Sequence, residues 1–198
     1  QSRAAPVSST SRVGSMVIAP RAAEAFIHGY SSLLAEVHRL SNGEAGLELL
    51  KMLAAARDLT IATPSLIESA ASRLEDRGSP VPPDVVNAIK SLQLKQWAYL
   101  RDTKTYSVFL EPTGKAAYAV LGLTNRLRDI LGGSGVSFRT GLVEYSGRFV
   151  CDGIVSNPVW LGPNYRKDFA ARLAVLKKEG NFHVTPSRYR IIPPDAAR

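Results

Sequence analysis

Cys151-Asp152-Gly153 and Glu144 come nearest to a catalytic grouping in this chain. A thiol or a pair of carboxyls brought together by a fold can serve as nucleophile and general acid–base, and an enzyme built around Asp152, Glu144 and Cys151 is one reading. The local sequence favours another. Cys151 ends an apolar run, Phe149-Val150-Cys151, where a free thiol packs as a small inert hydrophobe. Asp152 directly before Gly153 at a strand end suits a turn or bulge. His28, His38 and His183 are the only histidines, and the first two stand ten residues apart on one expected helix. Two metal ligands on a helix need a spacing of three or four, so no metal is expected. Gly132-Gly133-Ser134-Gly135 follows a helix and enters a strand, the reverse of a phosphate-cradling loop. No Gly-x-Ser-x-Gly elbow or dinucleotide fingerprint occurs. No catalytic residue and no cofactor are therefore assigned, and a non-catalytic binding or regulatory module is preferred to an enzyme.

The chemistry that the residue types do support is electrostatic. Lys and Arg number 25 against 17 Asp and Glu, a formal net charge of +8 that favours polyanionic partners. Residues 1–95 hold 10 basic and 9 acidic side chains and residues 96–198 hold 15 and 8, so nearly all the excess lies in the C-terminal half. That half also carries 11 of the 13 Phe and Tyr residues and both Trp. Cations interleaved with aromatics on a small sheet are the pattern of single-stranded nucleic-acid binders, in which rings stack on bases and cations track phosphates. The candidate contacts are Arg139 and Arg148 on expected strands, and Arg166 and Lys167 in the first turn of the last helix. The helix dipole disfavours cations at that end, whereas it accounts for Lys177 and Lys178 at the other. The same composition also fits a solvated sheet with a buried aromatic face. The alternative partner is another protein, bound through the helical half, with an oligomer among the outcomes.

The elements that would position these residues fall into two runs. Phe26, Tyr30, Leu33, Val37 and Leu40 recur at spacings of four and three, which predicts a first helix over Ala22–Leu40. Ser41-Asn42-Gly43-Glu44 has capping-box form and predicts a second helix from Glu44 to Arg57. Thr63-Pro64 and the Ser65 to Glu68 spacing predict a third over Ser65–Asp76, and Asp84 opens a fourth reaching about residue 94. Near Gln96 the period drops toward two. Strands are predicted from there to Arg101, over 106–110, 116–121, 136–145 and 148–155, with a short helix at 125–131. A last helix over Pro163–Glu179 and a short strand over 182–184 complete the pattern. Helices followed by strands indicate an α+β fold: a helical N-terminal half packed on a small, mostly antiparallel sheet with a C-terminal covering helix. The organisation is a tail or tag over 1–20, a helical region over 21–95, a sheet with its helix over 96–185, and an irregular tail over 186–198. Gly14-Ser15-Met16 has the form of a vector-derived scar before a start methionine, which would make 1–15 a tag.

A single cysteine excludes an intramolecular disulfide and suits a reducing compartment. No apolar run reaches the ~18 residues that span a bilayer, and the N-terminal segment lacks the apolar core of an export signal. A cytoplasmic protein without membrane partners is expected. Tyr118-Ala119-Val120-Leu121-Gly122-Leu123, the strand Gly147-Arg148-Phe149-Val150-Cys151-Asp152-Gly153 and Leu161-Gly162-Pro163 together resemble a stretch found in small bacterial α+β proteins that pair a helical segment with a sheet. That resemblance covers about a third of the chain. It implies a bacterial cytoplasmic origin and supplies no activity, substrate or site.

Overall fold

Phe26, Tyr30, Leu33 and Val37 are all buried along α1 (Pro20–Leu40), the helix around which the N-terminal half is assembled. The computed structural model describes residues 16–43 and 45–187. Three more helices follow α1: α2 (Leu49–Ala62), α3 (Ser65–Asp76) and α4 (Pro83–Lys90). Then come β1 (Gln93–Asp102), β2 (Ser107–Leu110), β3 (Ala117–Leu121), α5 (Leu127–Leu131), β4 (Val136–Tyr145), β5 (Arg148–Cys151), β6 (Ser156–Trp160), α6 (Pro163–Lys178) and β7 (Phe182–His183). Four helices ahead of a mostly antiparallel sheet, with α6 laid on it, make the α+β arrangement that the periodicities predict. Among the described residues no helix is long and apolar enough to cross a membrane.

Several local expectations are corrected. Ser41-Asn42-Gly43 ends α1 and does not begin α2. Asn42 takes the left-handed conformation (φ 52°), the Asn42 N–H donates to Arg39 O and the Gly43 N–H to His38 O, which is the paired bonding of a Schellman C-cap. The Ser41 hydroxyl donates back to Val37 O at 2.7 Å, and Glu44 lies outside the described residues. Consequently α2 starts at Leu49 and runs on to Ala62. Ser65 and Glu68 form no capping box either: Ser65 is already the first residue of the helix, behind Pro64 at the cap, and the Glu68 carboxylate pairs with Lys90 at 2.9 Å. Met16–Ala19, expected in the tail, is stitched to Gly122: Ile18 N–H donates to its carbonyl and Gly122 N–H to Met16 O. The expected strand 148–155 stops at Cys151 because Gly153 turns the chain at φ 82°. A separate strand, β6, follows; its internal Pro158 is tolerated because β6 pairs on one side only, with β4.

The strands close on themselves. β1 pairs with β2, β2 with β3, β3 with β5, β5 with β4, and β4 back with β1, giving a five-stranded barrel in the order 1-2-3-5-4. The β3–β5 closure is parallel, with Val120 opposite Phe149, while the other four pairings are antiparallel. Trp97, Tyr99, Phe109, Phe138 and Phe149 fill the interior with Leu127 of α5. Burying each such ring is worth roughly 1.5–3 kcal/mol. Because β5 is short, the free halves of β3 and β4 are lined by β7 and β6, and α6 joins these two.

The outside of the barrel is covered twice. Leu121, Val143, Tyr145 and Val150 pack into the core of the helical half. Ala98, Val108, Leu110 and Ala117, on the outer face of β1, β2 and β3, receive Leu173 and Leu176 of α6. Strands buried on both faces lose their clean alternation, which is why β2 is buried at all four positions.

Candidate functional site

Asp152 is buried, 4% exposed, and both oxygens of its carboxylate are fully engaged. Oδ1 accepts from the Thr140 hydroxyl (3.0 Å), the Ile154 N–H (3.0 Å) and the Gly141 N–H (3.3 Å). Oδ2 accepts from the Tyr30 hydroxyl of α1 and from Nη1 of Arg57 on α2, each at 3.0 Å. Arg57 is itself fully buried and its Nη1 also donates to Ile154 O at 2.8 Å. One side chain thus ties two helices to two strands of the barrel. Gly141 is required beside it, since a Cβ at that position would collide with Asp152 Oδ2 and with Leu92.

The electrostatics of this cluster hold protons in place. Burial, and then the Asp152 charge, push the Cys151 thiol up to about 12, so it is not a thiolate at neutral pH. Burial and the same carboxylate raise the Tyr30 hydroxyl well above its ordinary value. Glu144 does not join them. It faces Phe149 across the β4–β5 pairing, three residues along β4 from Gly141 and therefore about 10 Å from Asp152. The acid–base grouping considered around Asp152, Glu144 and Cys151 is not assembled; Asp152 and Cys151 are a sealed joint between the two halves. Among the described residues no three His, Cys, Asp or Glu side chains are grouped so as to hold a metal ion.

The four cations singled out in the sequence are dispersed. Arg139 is engaged with Asp58 of α2, Nη2 to Oδ1 at 3.1 Å. Arg148 pairs with Tyr145 at the β4–β5 turn, six residues along β4 from Arg139 and so about 20 Å away. Arg166 and Lys167 are both exposed on the first turns of α6. Arg166 Nε donates to Leu161 O at 3.0 Å, and its guanidinium lies against Gly135 at the start of β4.

Around Arg166 the fold gathers residues that sequence reasoning missed. Arg101, near the end of β1, is exposed and is in no ion pair among the described residues. Trp160 is 56% exposed at the end of β6 and Tyr165 63% exposed on α6, large apolar surfaces for side chains that a sheet and a helix usually bury. The Trp160 ring lies close above Gly133. Between β1 and α6 is a cleft of about 190 Å³, walled by Leu100, Ala170 and Leu173 and carrying Arg101, Arg166 and Lys177 with no acidic side chain in its lining. Trp160 beside Gly133, Arg166 beside Gly135 and Arg101 across the cleft thus border one strip at the start of α6, with Tyr165 and Lys167 on opposite flanks of the helix's first turns. The strip is not legible in the sequence, because nothing there signals β6 and because Tyr165 fits the apolar stripe of α6 on spacing alone. Neither the protein-family models, nor the curated proteins, nor the solved structures include a match to this chain.

Proposed function

We propose that this chain is a non-catalytic module that binds single-stranded nucleic acid along the strip formed by Trp160, Tyr165, Arg101, Arg166 and Lys167. The carrying observation is the exposed Trp160 ring beside the cleft that holds Arg101 and Arg166, cations without ion-pair partners among the described residues, on a closed five-stranded barrel. A barrel in the order 1-2-3-5-4, with a helix between its third and fourth strands, has the connectivity of oligonucleotide- and oligosaccharide-binding barrels. Connectivity alone assigns no ligand. In such barrels the outer face of strands 2 and 3 takes the ligand, but here Leu173 and Leu176 of α6 cover it. The accessible surface is displaced to the flank of α6, where rings can stack on bases at ~1–3 kcal/mol each and the cations can follow the backbone.

The test is fluorescence polarisation of a labelled single strand of about 12 nucleotides, titrated at several salt concentrations. Binding that weakens steeply with salt is expected, and Arg101→Glu with Arg166→Glu reduces the salt slope by about 1.4, roughly 0.7 for each phosphate no longer neutralised. Arg139→Gln leaves binding unchanged, because that side chain is committed to Asp58. Absence of binding at low salt overturns the proposal.

A further inference from the structure

We propose that the cleft between β1 and α6 is a phosphomonoester site, which receives the terminal phosphate of a nucleic-acid strand or of a mononucleotide. The choice of a nucleotide body rests on the function proposed above; the anion site rests on the cleft alone. Arg101, Arg166 and Lys177 reach it from two different elements, and none is in a salt bridge among the described residues. Arg101 has no side-chain hydrogen bond there. Arg166 uses Nε alone, on Leu161 O, which leaves both terminal nitrogens available. Lys177 rests over the Phe182 ring at 5.1 Å, an arrangement that holds the ammonium without neutralising it. Arg101 and Arg166 are uncompensated at one end of the concavity, with Lys177 about 16 Å along α6 from Arg166, and the uncompensated arginines concentrate positive potential where an anion would enter.

The geometry around Arg166 is fixed in advance. Gly135 has φ 79°, its N–H donates to Tyr99 O and its carbonyl accepts from Leu161 N–H, both at 2.9 Å. A Cβ at Gly135 would stand 2.7 Å from Arg166 Cζ, so the guanidinium is pressed against backbone on one side and bonded to Leu161 O on the other. A group held in place before binding loses little freedom when it binds.

Size and charge select the ligand. A volume of about 190 Å³ equals that of about six waters in the liquid, at ~30 Å³ each, which admits a phosphate and part of the sugar it is attached to. A terminal phosphate carries about −1.5 to −2 charges at neutral pH and three acceptor oxygens, whereas an internal diester carries one charge. The terminal group is the better match to the two arginines, and Leu100, Ala170 and Leu173 offer an apolar wall for the body of the ligand.

The experiment uses the full chain and four probes: a single strand with a 5′-phosphate, the same strand with a 3′-phosphate, the strand with hydroxyls at both ends, and adenosine monophosphate. A terminally phosphorylated strand is expected to bind about tenfold tighter than the hydroxyl strand, the effect of one charge-assisted hydrogen bond or more. Arg101→Gln with Arg166→Gln removes that difference and Arg139→Gln keeps it. Arg101 and Arg166 are exposed and Arg139 is half-buried, and thermal melting of the variants confirms that the fold is retained. Adenosine monophosphate that binds while every strand fails supports the cleft and overturns the strand-binding function. Strands that bind equally with and without a terminal phosphate, while the mononucleotide fails, overturn the phosphomonoester site and leave the strip standing. Failure of all four probes overturns both.

Discussion

Asp152 shows how a residue can look chemical and act structurally. Its carboxylate accepts from two helices and from three groups of the barrel, and burial, reinforced by its charge, keeps the neighbouring thiol and the Tyr30 hydroxyl protonated. This has a pH consequence whose sign is fixed by linkage. The folded protein holds the Cys151 proton up to about 12, while the unfolded chain releases it near 9.0. Between those values the native state binds more protons, so the stabilisation is complete below about pH 9 and is lost as pH rises toward 12. Tyr30 acts in the same direction from its ordinary 10.0 upward. Urea midpoints followed by circular dichroism should therefore be unaffected by these two groups up to about pH 9 and fall above it. Cys151→Ala moves the onset to about pH 10, where Tyr30 begins to act. In the sequence, Asp152-Gly153 is readable as a turn, and Gly153 does turn the chain. The carboxylate's partners are not readable: Arg57 is 95 residues away, on a helix whose spacing gives it no special place.

Among the elements, α1, α3 and β4 lie close to their predicted extents, whereas α2 is displaced toward the C-terminus because Ser41-Asn42-Gly43 belongs to the end of α1. α1 and α3 follow from apolar residues three and four apart, and the β4–β5 hairpin follows from Ser146-Gly147, both of which take positive φ. β6 could not be inferred, because four of its five residues are exposed and its pairing with β4 is supplied by a strand distant in sequence. The end of α1 carries its own signal, in Asn42. A β-carbon other than that of Asn or Asp tolerates the left-handed conformation poorly, so Asn42→Ala should cost about 1 kcal/mol, whereas Asn42→Gly should be neutral or slightly stabilising. Thermal melting of the two variants beside the parent distinguishes them; equal destabilisation in both would show that the cap contributes through the Asn side chain instead.

For the whole molecule, the helical half and the barrel share one core across Leu121, Val143, Tyr145 and Val150, with the Arg57–Asp152 pair sealed inside it. The two halves should unfold together. Far-UV circular dichroism, dominated by the helices, and labelling of the Cys151 thiol, which reports the barrel interior, are expected to trace one urea transition. Asp152→Ala leaves the Arg57 charge buried without its partner and should lower both signals in concert by about 3–5 kcal/mol. Thiol protection that outlasts the helical signal would show that the barrel stands without the joint. Charge is a second property of the whole. Its bias to the C-terminal half is readable from counting, but which cations remain available is not, because Arg139 and Arg128 are matched to carboxylates 81 and 26 positions away, by pairings that only the fold creates.

The two tryptophans stand in opposite surroundings: Trp97 is sealed inside the barrel, with its indole N–H donated to Thr140 O, and Trp160 projects from the end of β6 above Gly133. A collisional quencher in solvent reaches the second and not the first. The emission of the unlabelled protein is thus divided into an internal reference and a surface signal, and shielding of Trp160 is the readout expected from within the molecule if the proposed strip is occupied.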